Sequence, residues 1–578
     1  MNSTEKTKEQ KRHQSEEKEA LGQKYLNFYR RSVTHMSSEG IFEKIKKCHK
    51  AWAGKIRTAE SDNDPCSNIN VIHPMVEGQV ALLVEQNISV TALPVTPGDS
   101  AFAEKATGIL EFIKSRNNMQ RVIERHERSR EKYGSGILRV IFDPDKLSGV
   151  GLPVIESVPL QNICIDPCIS DAEKICEAEF IIEKIVKSVF WAKEVYGEEV
   201  AGQIQENYFP FGEGDVFDEE TADGENAKYL HLLVWTIEDG KLRLVEMSGC
   251  GVILSDSKEL NTSFYDTGRY PYFITPLYEV EGSVFGMGDV ELTIPVQELI
   301  NDLDDQIRLN ARLTANPQRL IETSSGIDID ALTNEAGLNI PCNNINSVRD
   351  LQPKELPRYV VERRNLALQY EIQKVSRFSD QMVGAKQSGV DTATESLALQ
   401  QSGSNGIAYK KAMLQAVLSK VFTYAFELIR EFWTDEVMLR ISEDENEFVA
   451  MNPSEFANIP NLVYKEKDGK RSLEEDGTKS AEFDINVSVG AGLPTNKAFQ
   501  YNMMRELYQM QIITGQELRT WLTKGFGLAL QGTPQQPQQT PGGTPTPQPI
   551  ETGQGAAIEG INVNGNVMPP QITGGAVM

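Results

Sequence analysis

Few side chains in this sequence stand at the spacings that chemistry requires. Cys164, Cys168 and Cys176 form a C-x3-C-x7-C run. Zinc would need a fourth ligand and no histidine is near in sequence, so small-residue packing in a strand-turn region is the simpler reading. Gly134-Ser135-Gly136 lies between a helical stretch and a strand, in that order. A phosphate-cradling loop runs the other way, from strand into helix, so these glycines mark a turn. Asp143-Pro144-Asp145 with Gly149 lacks the acidic spacing of a calcium loop. Asp302, Asp304 and Asp305 could hold magnesium only beside a second acidic cluster. Asp302 and Asp305 share a helix face, and a solvated face is the competing reading. His126 sits in the run Glu124-Arg125-His126-Glu127-Arg128, so charged that the ring is expected at the surface, with no nucleophile tied to it. No catalytic residue, metal site or cofactor site is expected.

The elements that would position any function centre on 286–387. Leu292, Val296, Leu299, Ile300, Leu303 and Ile307 recur at three and four, which predicts one face of a helix. Over 290–315 such a helix reaches roughly 39 Å at about 1.5 Å per residue. Asn316-Pro317 stops it, because the residue before proline is pushed out of the helical region. A return helix is predicted over about 356–378, with Leu366, Tyr370, Ile372 and Val375 among its apolar positions. The resulting hairpin is too narrow to bury both faces alone and needs neighbours.

Upstream, 1–60 reads as mixed-charge helix anchored by Tyr25, Phe28, Tyr29, Ile41, Ile45 and Trp52. Residues 88–94 alternate like a strand, 101–132 form one helical stretch, and 137–143 form a strand. Strands at 229–237 and 241–246 flank a hairpin signal at Glu238-Asp239-Gly240, beyond an acidic, Gly-rich loop at 205–227. Downstream, Thr392-Ala393-Thr394-Glu395 is a capping box. A helix follows Gly406, with Leu414, Val417, Leu418, Val421, Ala425, Leu428, Ile429 and Phe432 in step. Phe483, Ile485, Val487 and Val489 alternate as a strand, and helices are predicted at 495–511 and 514–524. Residues 531–578 are rich in Gln, Pro, Thr and Gly, with only Glu551 and Glu559 charged. That composition cannot bury a core and reads as disordered. The fold class is α+β.

With 58 Lys and Arg against 83 Asp and Glu, the chain carries a formal charge of −25 over 578 residues. Such a surface argues against gripping nucleic acid by neutralising phosphates throughout, and it does not exclude a protein that lets DNA slide past without sticking. No apolar run approaches the roughly eighteen residues of a membrane span, and the N-terminus lacks a secretory core. Seven cysteines, an odd number, fit a reducing compartment.

Several segments, taken in order over roughly 60–525, carry a family resemblance. They are NVIHPMVEGQVALLVEQNISVTALP, ERSREKYGSGILRVIFDP, VPLQNICIDPCISDAEKICEAEFII, GSVFGMGDVELTIPVQELINDLDDQIRLN and VSVGAGLPTNKAFQYNMMRELYQMQIITGQEL. Together they resemble the portal, or head-to-tail connector, proteins of tailed bacteriophages. Gln297 and Asn301 match the polar positions at the start of that family's first stem helix. The resemblance implies a mixed α/β wing body with an inserted helical hairpin, the stem, which carries a small clip, and a helical crown. The implied parts are an extra arm at 1–60, wing at 61–285 and 396–494, and stem helices at 286–315 and 355–382. The clip is 316–354, the tunnel loop 383–395, the crown 495–530 and the tail 531–578. Gly384, Lys386, Gln387, Ser388 and Gly389 would face DNA in the tunnel loop. Asp302, Asp304, Asp305, Arg308, Arg363, Arg364 and Arg377 would either line the channel or pair between stems.

The implied function is a ring, usually of 12 subunits, at one capsid vertex of the virion, through which double-stranded DNA is packaged and ejected. Implied partners are further copies of the chain, DNA, the terminase large subunit, a head-tail adaptor, and the major capsid and scaffolding proteins. Assembly would take place in the bacterial host cytoplasm, with no membrane involved. Two other readings stay open: a different head-completion or internal virion protein, and a metal-dependent cytosolic enzyme built on the stem aspartates.

Overall fold

The chain divides into two units, Met1–Leu493 and Pro494–Met578. The computed structural model describes residues 3–57, 66–84, 88–210, 227–258, 268–315, 318–322, 346, 348–351, 354–376, 405–433, 437–440, 448–451, 456, 459–467 and 470–489 of the first. Of the second it describes 505, 508–510, 514 and 515. The predicted tunnel loop and tail, the 392–395 capping box, most of the clip and of the crown, and Arg377 therefore lie outside the described residues.

Three helices open the chain: α1 (Ser3–Ser38), α2 (Ile41–Trp52) and α3 (Ile72–Val84). Tyr25, Phe28, Tyr29, Val33 and Met36 repeat at three and four along α1, and all are buried. Gly40, with φ 68°, supplies the left-handed break between α1 and α2. Next come β1 (Ile88–Pro94), α4 (Ser100–Arg116), α5 (Met119–Tyr133), β2 (Ser135–Asp143) and β3 (Leu152–Val158). The predicted single helix over 101–132 is thus two. Asn118 adopts φ 46°, and the Asn117 side chain donates to Ile113 O (2.9 Å) and Pro153 O (3.0 Å) and accepts from Ile155 N (3.0 Å). Asparagine tolerates the left-handed region, so the Asn117-Asn118 pair could have been read as a break.

A five-stranded antiparallel sheet of β4 (Ile163–Ile165), β5 (Phe180–Ser188), β6 (Lys228–Glu238), β7 (Lys241–Ser248) and β8 (Ile253–Asp256) follows in sequence order, with α6 (Val189–Tyr196) after β5. The expected hairpin is there: Asp239 and Gly240 have φ 52° and 76°, both positive as its two-residue turn requires. Phe28 of α1 stacks on Phe180 of β5 at 4.6 Å, and Ser32 Oγ donates to Ile165 O at 2.7 Å. β9 (Tyr272–Pro276) joins β2 and β3 in a three-stranded sheet of order β3-β2-β9.

The first long helix, α7 (Asp289–Ala315), ends where Asn316-Pro317 predicts. Beyond it β10 (Gln318–Ile321) and β11 (Val348–Leu351) pair antiparallel. The return helix α8 runs through Arg358–Leu366, a π-helical turn at Ala367–Glu371, and Ile372–Ser376. The core helix α9 (Asn405–Phe432) then packs on β16 (Phe483–Val489), which pairs with β1; between them β12 (Val437–Arg440) pairs with β13 (Phe448–Met451) and β14 (Ile459–Lys467) with β15 (Lys470–Lys479). By length and composition α9 could cross a bilayer, which the sequence reading did not anticipate. Its Leu414, Leu418, Val421, Phe422, Ala425, Leu428 and Ile429 are buried in the protein core instead.

The Gly134 turn brings two distant segments into close contact. Gly134 caps α5 with φ 91°, and its carbonyl accepts from Leu277 N at 2.8 Å. A Cβ at this position would overlap the Gly286 carbonyl, whose residue leads into α7. Gly134→Ala is expected to lower the unfolding free energy by about 2 kcal/mol or more, from φ strain and collision together. Gly149, at φ 96° with open space around it, is the control. A thermal midpoint that falls equally in Gly149→Ala would show that the Gly286 contact relaxes freely.

Candidate functional site

A polar ladder on α7 organises the start of the hairpin. Gln297, Asn301, Asp305 and Arg308 fall at intervals of four, four and three, so they share one face. All four reach the segment 66–71, most of whose contacts are made through its backbone. Gln297 Oε1 accepts from Val71 N (3.1 Å) while its amide donates to Ile69 O. Asn301 Oδ1 accepts from Ile69 N (3.3 Å) and from Gln297 Nε2 (3.1 Å). Asp305 Oδ1 accepts from Ser67 N (2.6 Å), and Arg308 donates to Ser67 Oγ (3.1 Å). These side chains satisfy backbone groups of a segment that belongs to no sheet. Both Gln297 and Asn301, read from sequence as stem-start residues, are fully buried.

The three aspartates do not act together. Arg57 takes Asp302 and Asp305, with Arg57 Nη1 to Asp305 Oδ2 at 3.0 Å, and it also donates to Glu298 O. Asp304 accepts from Arg364 Nε at 2.9 Å, so these two residues, expected to line the channel or to pair between subunits, meet within a single chain. Arg363 instead clasps Glu371 across the π-helical turn at 2.6 and 3.1 Å. Among the described residues no group of three or more His, Cys, Asp or Glu converges in a way that could hold a metal. The role of Arg57 was not visible in sequence, since nothing in its local pattern points 245 residues ahead.

Just below the ladder lies a buried charge network. Lys410 Nζ, on α9, donates to Gln79 Oε1 of α3, Glu131 Oε2 of α5 and Asp289 Oδ2 of α7, each at 2.7 Å. Arg130 Nη2 donates to Glu127 Oε2 (2.6 Å) and to the Lys410 carbonyl (3.0 Å). His126, expected at the surface, is fully buried and bonded through Nδ1 to Glu127 Oε1 at 2.9 Å. The charged run that suggested solvent is the inner face of α5: Glu127, Arg130, Glu131 and Lys132 are buried with it. Burial pushes the Glu131 carboxyl up to about 7, against the attraction of Lys410 and with the help of nearby Asp289. Burial also acts to raise Glu127, but Arg130 and His126 outweigh it and its pKa is lowered.

The matches to known families agree with this architecture. A family model described as phage SU10 portal protein matches residues 145–465, and one described as phage P22-like portal protein matches residues 49–199. No curated protein matches the chain. The two matches define a structural protein of the phage head, a portal. The first spans more than half of the sequence, and the chain belongs to the phage SU10 portal protein family. It forms, as a homo-oligomeric ring in the virion, the channel for DNA passage at the capsid vertex.

The raised Glu131 carboxyl sets a pH dependence. Its folded-state pKa near 7 exceeds the ordinary value of 4.5, so the folded chain binds the extra proton between those limits. That contribution to stability is complete below about pH 4.5 and is lost as pH rises through about 7. Between pH 5 and 7 the denaturation midpoint of the wild type is expected to fall relative to that of Glu131→Gln. Parallel profiles for the two proteins would show that Glu131 is already ionised at pH 5.

Proposed function

We propose that twelve copies close the ring, with the hairpin α7–α8 of each copy as its stem. The observation that carries this reading is the hairpin's outward apolar surface. Leu309, Tyr359 and Leu366 are 45, 68 and 50 % exposed in the single chain. A hairpin flanked by copies of itself on both sides would cover them, as a closed cyclic assembly requires. Residues 61–285 and 396–494 then form the wing, 316–354 the clip and 495–530 the crown. The clip faces the terminase large subunit during filling and the head-tail adaptor afterwards. Major capsid and scaffolding proteins meet the wing, and assembly takes place in the host cytoplasm.

Electrostatics suits a conduit for DNA. The charge of −25 keeps the phosphate backbone from adhering, so DNA stays mobile. Engagement of Asp302, Asp304 and Asp305 by Arg57 and Arg364 in the single chain favours bracing of the stem as their first role. Transient contact with DNA falls to the tunnel loop 383–395, where Lys386 stands between Gly384 and Gly389.

Negative-stain microscopy with light-scattering mass tests the assembly. Rings of about a dozen subunits with a central hole are expected; a closed dimer or tetramer under all conditions would return the chain to another class of virion protein. Lys386→Ala should leave rings intact and alter packaged-genome length or DNA release. If both quantities stay at wild-type values, the loop has no part in handling DNA.

A further inference from the structure

The wing carries a cavity of about 780 Å³ between the end of α4, the start of α5 and β3. Arg116, Arg121, Arg125 and Lys146 line it, and among the described residues none of the four has a carboxylate partner. Neighbouring cations are matched: Arg128 with Glu77 and Glu124, Arg130 with Glu127, and Arg243 with Asp256 and Glu238. The cavity's two carboxylates, Glu156 and Glu183, are both held by Arg139, with Arg139 Nη1 to Glu183 Oε2 at 2.7 Å. Five cations and two carboxylates leave the cavity three charges positive on a chain that is 25 negative overall.

Arg116 is eased by the Phe112 ring, 5.1 Å away, and by its place in the last turn of α4, whereas the other three have no such relief among the described residues. Arg121 and Arg125 lie one helical turn apart on α5, a spacing at which like charges repel. The α5 N-terminus opens on the same cavity, and Asn118 gives it no side-chain cap, so the positive end of the helix dipole adds to the field. The volume is in the range of ordinary ligand pockets.

We propose that this cavity is a phosphate-binding site and that DNA supplies the phosphate. Three of the four uncompensated cations are arginines, whose planar fork takes phosphate oxygens in pairs, and a helix N-terminus favours the same group. The choice of DNA as the source rests on the channel function given above. The site lies in the body that carries α4, α5 and β3, apart from the hairpin α7–α8, and would hold a strand there.

The test uses the full chain with a labelled double-stranded oligonucleotide, followed by fluorescence anisotropy, with inorganic phosphate and a polyglutamate peptide as competitors. Arg121→Gln/Arg125→Gln removes two exposed side chains, and circular dichroism checks the fold. Binding is expected to weaken roughly thirty-fold at 0.15 M salt, and the slope of log K against log salt to become shallower by about 1.8, at 0.9 per lost contact. A variant that still forms rings and binds the oligonucleotide as the wild type does would overturn the cavity proposal and leave the channel function standing. Phosphate binding that disappears in the variant while oligonucleotide binding does not would overturn DNA as the source. Displacement by polyglutamate and not by phosphate would overturn the phosphate site in favour of an acidic protein segment.

Discussion

The buried ammonium of Lys410 ties together parts of the chain that local sequence keeps apart. It gathers α3, α5 and α7 at one point, at 2.7 Å from Gln79, Glu131 and Asp289, and it sits in the second turn of the core helix α9. Two cations, Lys410 and Arg130, face three carboxylates there, Glu127, Glu131 and Asp289. A buried arrangement of this kind gains little net stability over an apolar core, yet removing one partner leaves charges stranded out of water. Its value is geometric, because it defines where the long helix α7 begins relative to the body that carries it. A proton on Glu131 balances the remaining negative charge, in keeping with the raised pKa of that carboxyl.

From that fixed point the ladder of Gln297, Asn301, Asp305 and Arg308 extends the anchorage along α7. Most of these hydrogen bonds go to the backbone of 66–71, and Val71 adds apolar packing in the cluster with Val296, Leu299 and Ile300. Arg57 and Arg364 add ion pairs on neighbouring faces. A long helix braced by its own chain at several successive turns is held firmly to the body from which it emerges. The apolar side chains left outward at Leu309, Tyr359 and Leu366 remain for contacts beyond the single chain.

Charge is distributed unevenly over this body. The acidic excess that suits a channel for DNA coexists with a cavity lined by Arg116, Arg121, Arg125 and Lys146, whose two carboxylates, Glu156 and Glu183, are taken by Arg139. Repulsion over most of a surface and attraction at one place are compatible, because salt screens both beyond about 8–10 Å.

What the sequence determined by itself was local. The apolar repeat and Asn316-Pro317 gave the extent of α7, alternation gave β1 and β16, and Asp239-Gly240 gave the hairpin, since each follows from backbone sterics and periodicity within a few residues. Gln297 and Asn301 were singled out by their family positions, but their bonds to Ile69 and Val71 were not legible. Only the tertiary structure decided which polar residues were inside. His126, Glu127, Arg130 and Glu131 look solvated because burial of charge is costly, and the groups that offset the cost, Lys410 above all, lie some 280 residues away. Arg57 reaches Asp302 and Asp305 for the same reason. Periodicity reports which face of an element is apolar, whereas a buried ion network depends on partners that meet only when the elements pack.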